Sequence, residues 1–427
     1  DKIVTGSDDW LVKIWSARTS RLIASCRGHK REITIISICP KDYLVASGSI
    51  DKEVRTWKLE TGEPVAVLRG HFMPITEVIF CPAKPWLVAS TSEDGTLRLW
   101  NAYKHSGNQN SITLDIHALI GGGRDNNNNN NNTIVAPLAE TNNENNNNRQ
   151  QQQQQRQQGR VPRTKIARII AFSFNSDGTA FCGGTDSMHE TKKGFVFSYG
   201  IDPSKIGGDE ISGEVPPVNK LVAYNSEKSN ERHEEDVYCV KFSNNDPCTF
   251  VTGGEEGVIK CWKIPSTTAY AISTKKKKKS KRDDKRMKLI WEVDSRTFDE
   301  GQHFSIQSAV WSKDDSMIVA TLNSKVGTGA KLVWFCAQTG RTLGWGGGQP
   351  NHTHSKSVFA LETHPIDPKI VLTGGYDGRI IMWSLEHSIP FGQNTQQLGG
   401  NGNRLFTKPQ NASESMRVFE PEFEGIN

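Results

Sequence analysis

Six tryptophans close short apolar stretches along this chain, and five of them follow an acidic residue at the same offset of six. The pairs are Asp9/Trp15, Asp51/Trp57, Asp94/Trp100, Glu256/Trp262 and Asp377/Trp383; Trp334 has no acid at that offset. The first three tryptophans, 15, 57 and 100, recur every 42 to 43 residues. A unit of that length with several short strands cannot bury its own apolar face and must stack on its neighbours. The period is that of an all-β, four-strands-per-unit β-propeller.

The units read strand by strand. Apolar, hydroxyl-rich runs at 3–7, 44–49 and 87–92 precede a tight turn and then a second run ending on tryptophan at 11–15, 53–57 and 96–100. A Gly-His pair (Gly28-His29, Gly70-His71) leads into the inner strand at 33–40 and 75–82. Inner strands recur at 169–178, 237–246, 306–315 and 358–367, and Tyr199 stands in the tryptophan place of the fourth unit. Seven units result, the first without its inner strand. Because a circular sheet array needs its ends joined, flanking sequence is expected to finish it.

Each tryptophan lies ten residues after a hydroxyl side chain: Thr5/Trp15, Ser47/Trp57, Ser90/Trp100, Thr252/Trp262 and Thr373/Trp383. That offset predicts that the two face each other across the hairpin. A buried indole N–H needs an acceptor, and the hydroxyl supplies it. His29, His71, His233 and His354 precede their tryptophans by 28 or 29 residues. An imidazole there can bridge the hydroxyl and the turn carboxylate, leaving no polar group orphaned. The expected tetrads therefore comprise Thr5, Asp9 and Trp15 in the first unit and His29, Ser47, Asp51 and Trp57 in the second. They continue with His71, Ser90, Asp94 and Trp100, then His233, Thr252, Glu256 and Trp262, then His354, Thr373, Asp377 and Trp383. This is the tetrad pattern of WD-repeat proteins, which the chain resembles over 1–104 and 165–386.

Four regions follow: units one to three in 1–119, an Asn/Gln-rich insertion at 120–164 expected to be disordered, units four to seven in 165–386, and a polar tail at 387–427 leading toward a missing eighth repeat. The net charge of +5 is concentrated. Between 275 and 288 stand ten basic and two acidic side chains, a local +8 that leaves −3 on the rest. The basic residues are Lys275, Lys276, Lys277, Lys278, Lys279, Lys281, Arg282, Lys285, Arg286 and Lys288, part of a loop read as 265–288. Such a run is a nuclear-localisation signal, a phosphate-contacting patch or a solvated loop. It has no interleaved aromatics for stacking on single strands.

The composition and motifs also narrow the chemistry. Eight cysteines include no C-x-x-C pair and fit core thiols of a reducing compartment. No apolar stretch reaches 18 residues, so no membrane helix is expected. The G-x-x-x-x-G-K-[ST], G-x-S-x-G, H-E-x-x-H and G-x-G-x-x-G patterns are absent from the sequence. The chain is read as a non-enzyme with no cofactor, no metal and no small-molecule substrate; His352/His354 are too close to the repeat pattern to count as a metal pair.

Three stretches, 6–15 (GSDDWLVKIW), 48–71 and 359–383 (including ALETHPID), resemble the amino-terminal propeller of bromodomain-and-WD-repeat proteins. The resemblance implies a fragment of a nuclear, chromatin-associated adaptor whose partners are proteins. Histones or chromatin are one class; the damaged-DNA-binding adaptor of cullin-RING ubiquitin ligases is the other. Docking to that adaptor is associated with W-D-x-R. Here Trp15-Ser16-Ala17-Arg18 keeps the tryptophan and arginine, making Arg18 the candidate docking residue. The alternative reading is a scaffold of an RNA-processing or ribonucleoprotein complex, with direct nucleic-acid contact through the lysine run.

Overall fold

The computed structural model describes residues 2–41, 43–105, 111–115, 167–186, 194–201, 221–226, 233–265, 286–297, 303–325, 329–346, 354–385 and 416–419. The Asn/Gln-rich insertion at 120–164 and residues 275–285 of the lysine run lie outside them. The chain forms two compact units. One comprises Asp1–Ala171, Thr185–Gly194 and Tyr199–Val222; the other comprises Phe172–Gly184, Phe195–Ser198 and Ala223–Asn427.

The first unit opens with a three-stranded meander of β1 (Lys2–Gly6), β2 (Val12–Ser16) and β3 (Leu22–Cys26). Two four-stranded meanders follow: β4 (Ile33–Ile38), β5 (Leu44–Ser49), β6 (Val54–Lys58) and β7 (Pro64–Leu68), then β8 (Ile75–Phe80), β9 (Leu87–Ser92), β10 (Thr96–Asn101) and β11 (Ser111–Asp115). The fourth repeat, whose residues are divided between the two units, runs in sheet order through β12 (Ile169–Phe174), β13 (Ala180–Thr185), β14 (Val196–Ile201) and β15 (Leu221–Ser226).

The second unit holds β16 (Val237–Phe242), β17 (Thr249–Gly254), β18 (Val258–Lys263) and β19 (Arg286–Asp294). The sixth sheet comprises β20 (Phe304–Trp311), β21 (Met317–Ser324), β22 (Ala330–Cys336) and β23 (Thr342–Gly346); the seventh comprises β24 (Val358–Thr363), β25 (Ile370–Gly375), β26 (Ile380–Ser384) and β27 (Met416–Phe419). A short parallel pairing, Asn225↔Arg286 and Ser226↔Met287, joins β15 to β19.

Two expectations change here. The lysine run does not end as a loop at 288: Arg286 and Lys288 belong to β19, where Lys288 pairs with Lys263 and Met287 is buried. Alternation explains it, since the apolar Met287 can face the core only if the backbone is already extended there. The tail at 387–427 likewise contributes structure. Its residues Met416–Phe419 pair antiparallel with β26, from Ile380↔Phe419 to Trp383↔Met416, and so complete the seventh sheet.

In four pairs of neighbouring sheets a β-branched side chain fits into the space left by a glycine. A Cβ on Gly6 would sit 2.6 Å from Ile33 Cγ2, and one on Gly48 would sit 2.5 Å from Ile75 Cγ2. In the second unit the same relation joins Gly184 to Val237 and Gly253 to Ile306. The second strand of each meander is accordingly small-residue-rich: LVASGS in β5 and LVASTS in β9 are buried throughout. A strand covered on both faces reads as a continuous apolar or small run, not as an alternating one. Around these contacts Val54, Ala66 and Leu68 of the second sheet pack on Ile75, Val78, Val88 and Trp100 of the third. Val319, Leu332 and Trp334 of the sixth pack in the same way on Leu361, Val371 and Trp383 of the seventh.

Candidate functional site

Four complete tetrads hold one end of four sheets. In the second sheet the Trp57 indole donates to Ser47 Oγ at 2.9 Å, His29 Nε2 lies 2.8 Å from the same oxygen, and His29 Nδ1 lies 2.8 Å from Asp51 Oδ2. The third sheet repeats this with Trp100–Ser90 at 2.8 Å, His71–Ser90 at 2.8 Å and His71–Asp94 at 3.0 Å. In the fifth, Trp262 and His233 meet Thr252 Oγ1 at 2.9 and 2.7 Å, and His233 bonds Glu256. In the seventh, Trp383 and His354 meet Thr373 Oγ1 at 2.8 Å each, and His354 reaches Asp377 at 2.9 Å.

One tautomer satisfies every atom. The indole donates to the hydroxyl, the hydroxyl donates to Nε2, and Nδ1–H donates to the carboxylate. The carboxylate oxygens then stitch two loops together: Asp51 accepts from the Lys30 and Glu53 amides, Asp94 from those of Phe72 and Thr96, and Asp377 from those of Ser355 and Arg379. The loop entering the inner strand is thereby fixed to the hairpin turn.

Electrostatics follow from this burial. Desolvation pushes Asp51 and Asp94 upward, yet the histidine bonds and loop amides outweigh it and hold both carboxyls down at about 2. Burial lowers the His71 pKa more than its bond to Asp94 raises it, which favours the neutral ring. The carboxylate–imidazole–hydroxyl order is that of a hydrolytic triad. However, Ser47, Ser90, Thr252 and Thr373 are buried and each hydroxyl already accepts an indole N–H. A nucleophile must reach its substrate, and these four oxygens reach only their own sheet.

Two geometric expectations need correction. Hydroxyl and tryptophan do not stand directly opposite: the backbone partner of Trp57 is Val45, that of Trp15 is Ile3, and that of Trp383 is Val371. The indole reaches diagonally to the residue two further along the same face, within the range of a large side chain. The offset of ten counts a hydrogen-bonded contact, not a register pair. The first sheet, moreover, has no complete tetrad among the described residues. Trp15 donates to Thr5 Oγ1 at 2.9 Å, but Asp9 pairs with Lys13 at 2.7 Å, and no histidine among the described residues bonds it.

Arg18 is exposed on the turn between β2 and β3, where Ser16 Oγ accepts from the Thr19 amide and Ser16 O from the Ser20 amide. All eight cysteines are free, six of them buried; burial pushes Cys26 up to about 11 and Cys239 and Cys261 up to about 12. Among the described residues no group of His, Cys, Asp and Glu is arranged to hold a metal ion.

The residues next to the tetrads escaped the sequence reading. Phe72 directly follows His71 and is 64% exposed; Tyr376 directly precedes Asp377 and is 72% exposed. Phe359, displaced by a register shift at the start of β24, lies against Tyr376 with ring centroids 4.5 Å apart and planes tilted by 59°. Trp10 stands exposed on the first hairpin turn. The available signal was positional: when a tetrad side chain points inward, the neighbouring residue is turned out. Large aromatics at such positions place apolar surface on the loop tips.

Comparison with known proteins agrees with this geometry. The WD40 family, WD domain, G-beta repeat, matches residues 20–58, 62–101, 225–263 and 348–384, and each stretch ends at or just beyond a tetrad tryptophan. A bromodomain and WD repeat-containing protein of Dictyostelium discoideum is 25% identical over 90% of this chain, which spans 16% of that relative's length. Among solved structures, the Cps50 (Swd1) β-propeller domain of Myceliophteria thermophila superposes with a TM-score of 0.55 at 13% identity, covering 90% of this chain and 93% of that one. The computationally designed protein Ika8 superposes at 0.51 with 19% identity, covering 91% of this chain and 82% of its own. Meander sheets, four hydrogen-bonded tetrads among the described residues and four WD40 repeat matches that close on their tryptophans together show a WD40-type β-propeller fold.

Proposed function

We propose that this chain is a non-catalytic protein-interaction scaffold serving a nuclear, chromatin-associated adaptor. WD40 propellers mediate protein–protein contacts, and the carrying observation is a set of exposed aromatics, Phe72, Tyr376, Phe359 and Trp10, on or beside hairpin tips. At three of them a complete tetrad holds the tip rigid. Rigid aromatic anchors bind at low entropic cost. The chromatin reading draws support from the likeness to a bromodomain and WD repeat-containing relative. It also draws on the run Lys275–Lys288 as a nuclear-localisation signal. Within the same reading, the exposed Arg18 contacts a cullin-RING ligase adaptor.

A tagged full-length chain tests this by fractionation. The expectation is nuclear accumulation that depends on residues 275–288, sedimentation with chromatin, and binding of histone peptides by the purified chain. Exclusion from the nucleus together with no histone binding would reject the proposal. Arg18→Ala is expected to abolish co-purification of the ligase adaptor; unchanged recovery removes that role while leaving the scaffold reading in place. Loss of binding with rising salt far steeper than a protein contact gives would favour ribonucleoprotein assembly instead.

A further inference from the structure

Four sheets carry a basic residue two positions before the closing tryptophan: Lys13, Arg55, Arg98 and Lys260. Three of them have a carboxylate. Lys13 pairs with Asp9 at 2.7 Å, Arg55 forks onto Glu53 Oε2 at 3.1 and 2.8 Å, and Lys260 pairs with Glu292 at 3.3 Å. Arg98 is 5% exposed and its Nε is buried without a hydrogen-bond partner. The reason is local. Glu53 of the second sheet is replaced in the third by Thr96, whose hydroxyl donates to Asp94 at 2.6 Å. Asp94 acts on Arg98 only through space, because His71, Phe72 N and Thr96 already occupy its oxygens.

The surroundings suit a guanidinium that awaits an anion. Its carbon lies 5.7 Å from the Trp100 ring centroid and 6.0 Å from that of Phe72. It also lies against Gly70, where any Cβ would strike Nη1. Cation–π contacts offset part of the desolvation cost but offer no hydrogen-bond acceptor. A buried charge without one is costly, and a carboxylate matching the planar fork recovers that cost. Phe72 is mostly exposed, so its ring brings the site to the surface.

We propose that Arg98 and Phe72 form a recognition site for an acidic side chain of a partner protein. The incoming carboxylate takes on Arg98 the place that Glu53 holds on Arg55, and the Phe72 ring closes over the pair. The site goes beyond the scaffold reading by naming the chemistry of the bound residue, and it holds wherever in the cell the chain works.

The test follows the Nε–H resonance of Arg98 in the full-length chain labelled with 15N-arginine, assigned by its loss in Arg98→Lys. The probe is an acetylated, amidated hexaglutamate peptide, with hexaglutamine as control. This readout is local, so peptide bound to the lysine run does not register. Hexaglutamate is expected to shift the resonance saturably and hexaglutamine to leave it unmoved. Thr96→Glu supplies an internal carboxylate as Glu53 does. It is expected to weaken the response at least ~10-fold, the usual scale for a charged hydrogen bond, while the Trp100 indole signal stays in place. Phe72→Ala is expected to weaken it several-fold. A resonance that hexaglutamate does not move, one that hexaglutamine moves equally, or an undiminished response in Thr96→Glu overturns the proposal.

Discussion

Ser47 does with one oxygen what holds a whole hairpin: it accepts from the Trp57 indole and meets His29 Nε2. Removing that oxygen leaves two buried polar atoms unpaired, each costing about 1–3 kcal/mol. Ser47→Ala is therefore expected to lower stability by about 2–4 kcal/mol in urea unfolding. Thr5→Ala touches a similar indole bond, but Thr5 is exposed and no histidine depends on it. It should cost under about 1 kcal/mol. Acid acts on the same atoms in two windows. The folded-state pKa of His71 lies below its ordinary 6.5, so its contribution is complete above that value and declines as pH falls through it. Asp51 and Asp94 sit at about 2 against an ordinary 3.8, so their contribution, at most about 2 kcal/mol each, is lost as pH falls from about 4 toward 2. Urea midpoints measured against pH should descend in both windows, and Asp51→Asn with Asp94→Asn should flatten the lower one.

At the scale of the element, the hairpin turns of the tetrad sheets need one residue with positive φ. Gly95, Gly257 and Gly378 occupy it at φ 77°, 77° and 75°, whereas the first two sheets place Trp10 at 68° and Lys52 at 73°. A non-glycine side chain is strained there by roughly 1 kcal/mol. Lys52→Gly should relieve that strain, offset in part by the freedom glycine gains when unfolded, and raise the thermal midpoint slightly. A lowered midpoint would show that the lysine makes compensating contacts. The hairpins also show where strand reading stops short. Counting residues finds which hydroxyl meets which indole, but the register shift just before Trp15, Trp57 and Trp262 and the diagonal reach of each indole belong to backbone twist.

At the scale of the whole molecule, the seventh sheet depends on a strand from far along the chain. β27 pairs with β26 across residues that the sequence presents only as a polar tail. Truncation after Leu385 exposes the β26 edge, and exposed edges recruit other chains. The truncated protein is expected to melt at lower temperature and to aggregate, as measured by scanning calorimetry and light scattering; an unchanged profile would mean that β27 adds nothing to the fold. The short β27 segment MRVF carried too weak an alternation to announce itself. Other features were legible. The seven-unit β-propeller and the membership of four tetrads could be read directly, because hairpin geometry fixes the spacing of residues that meet within one meander.

Contacts between meanders carry no such ruler. That Gly48 receives Ile75, that Arg98 alone among the four basic residues before the closing tryptophans has no carboxylate, and that Phe359 meets Tyr376 were decided in three dimensions. Local spacing determines bonds that a short loop must close. Packing between separate sheets depends on how twisted surfaces approach, and only the folded chain brings those surfaces together.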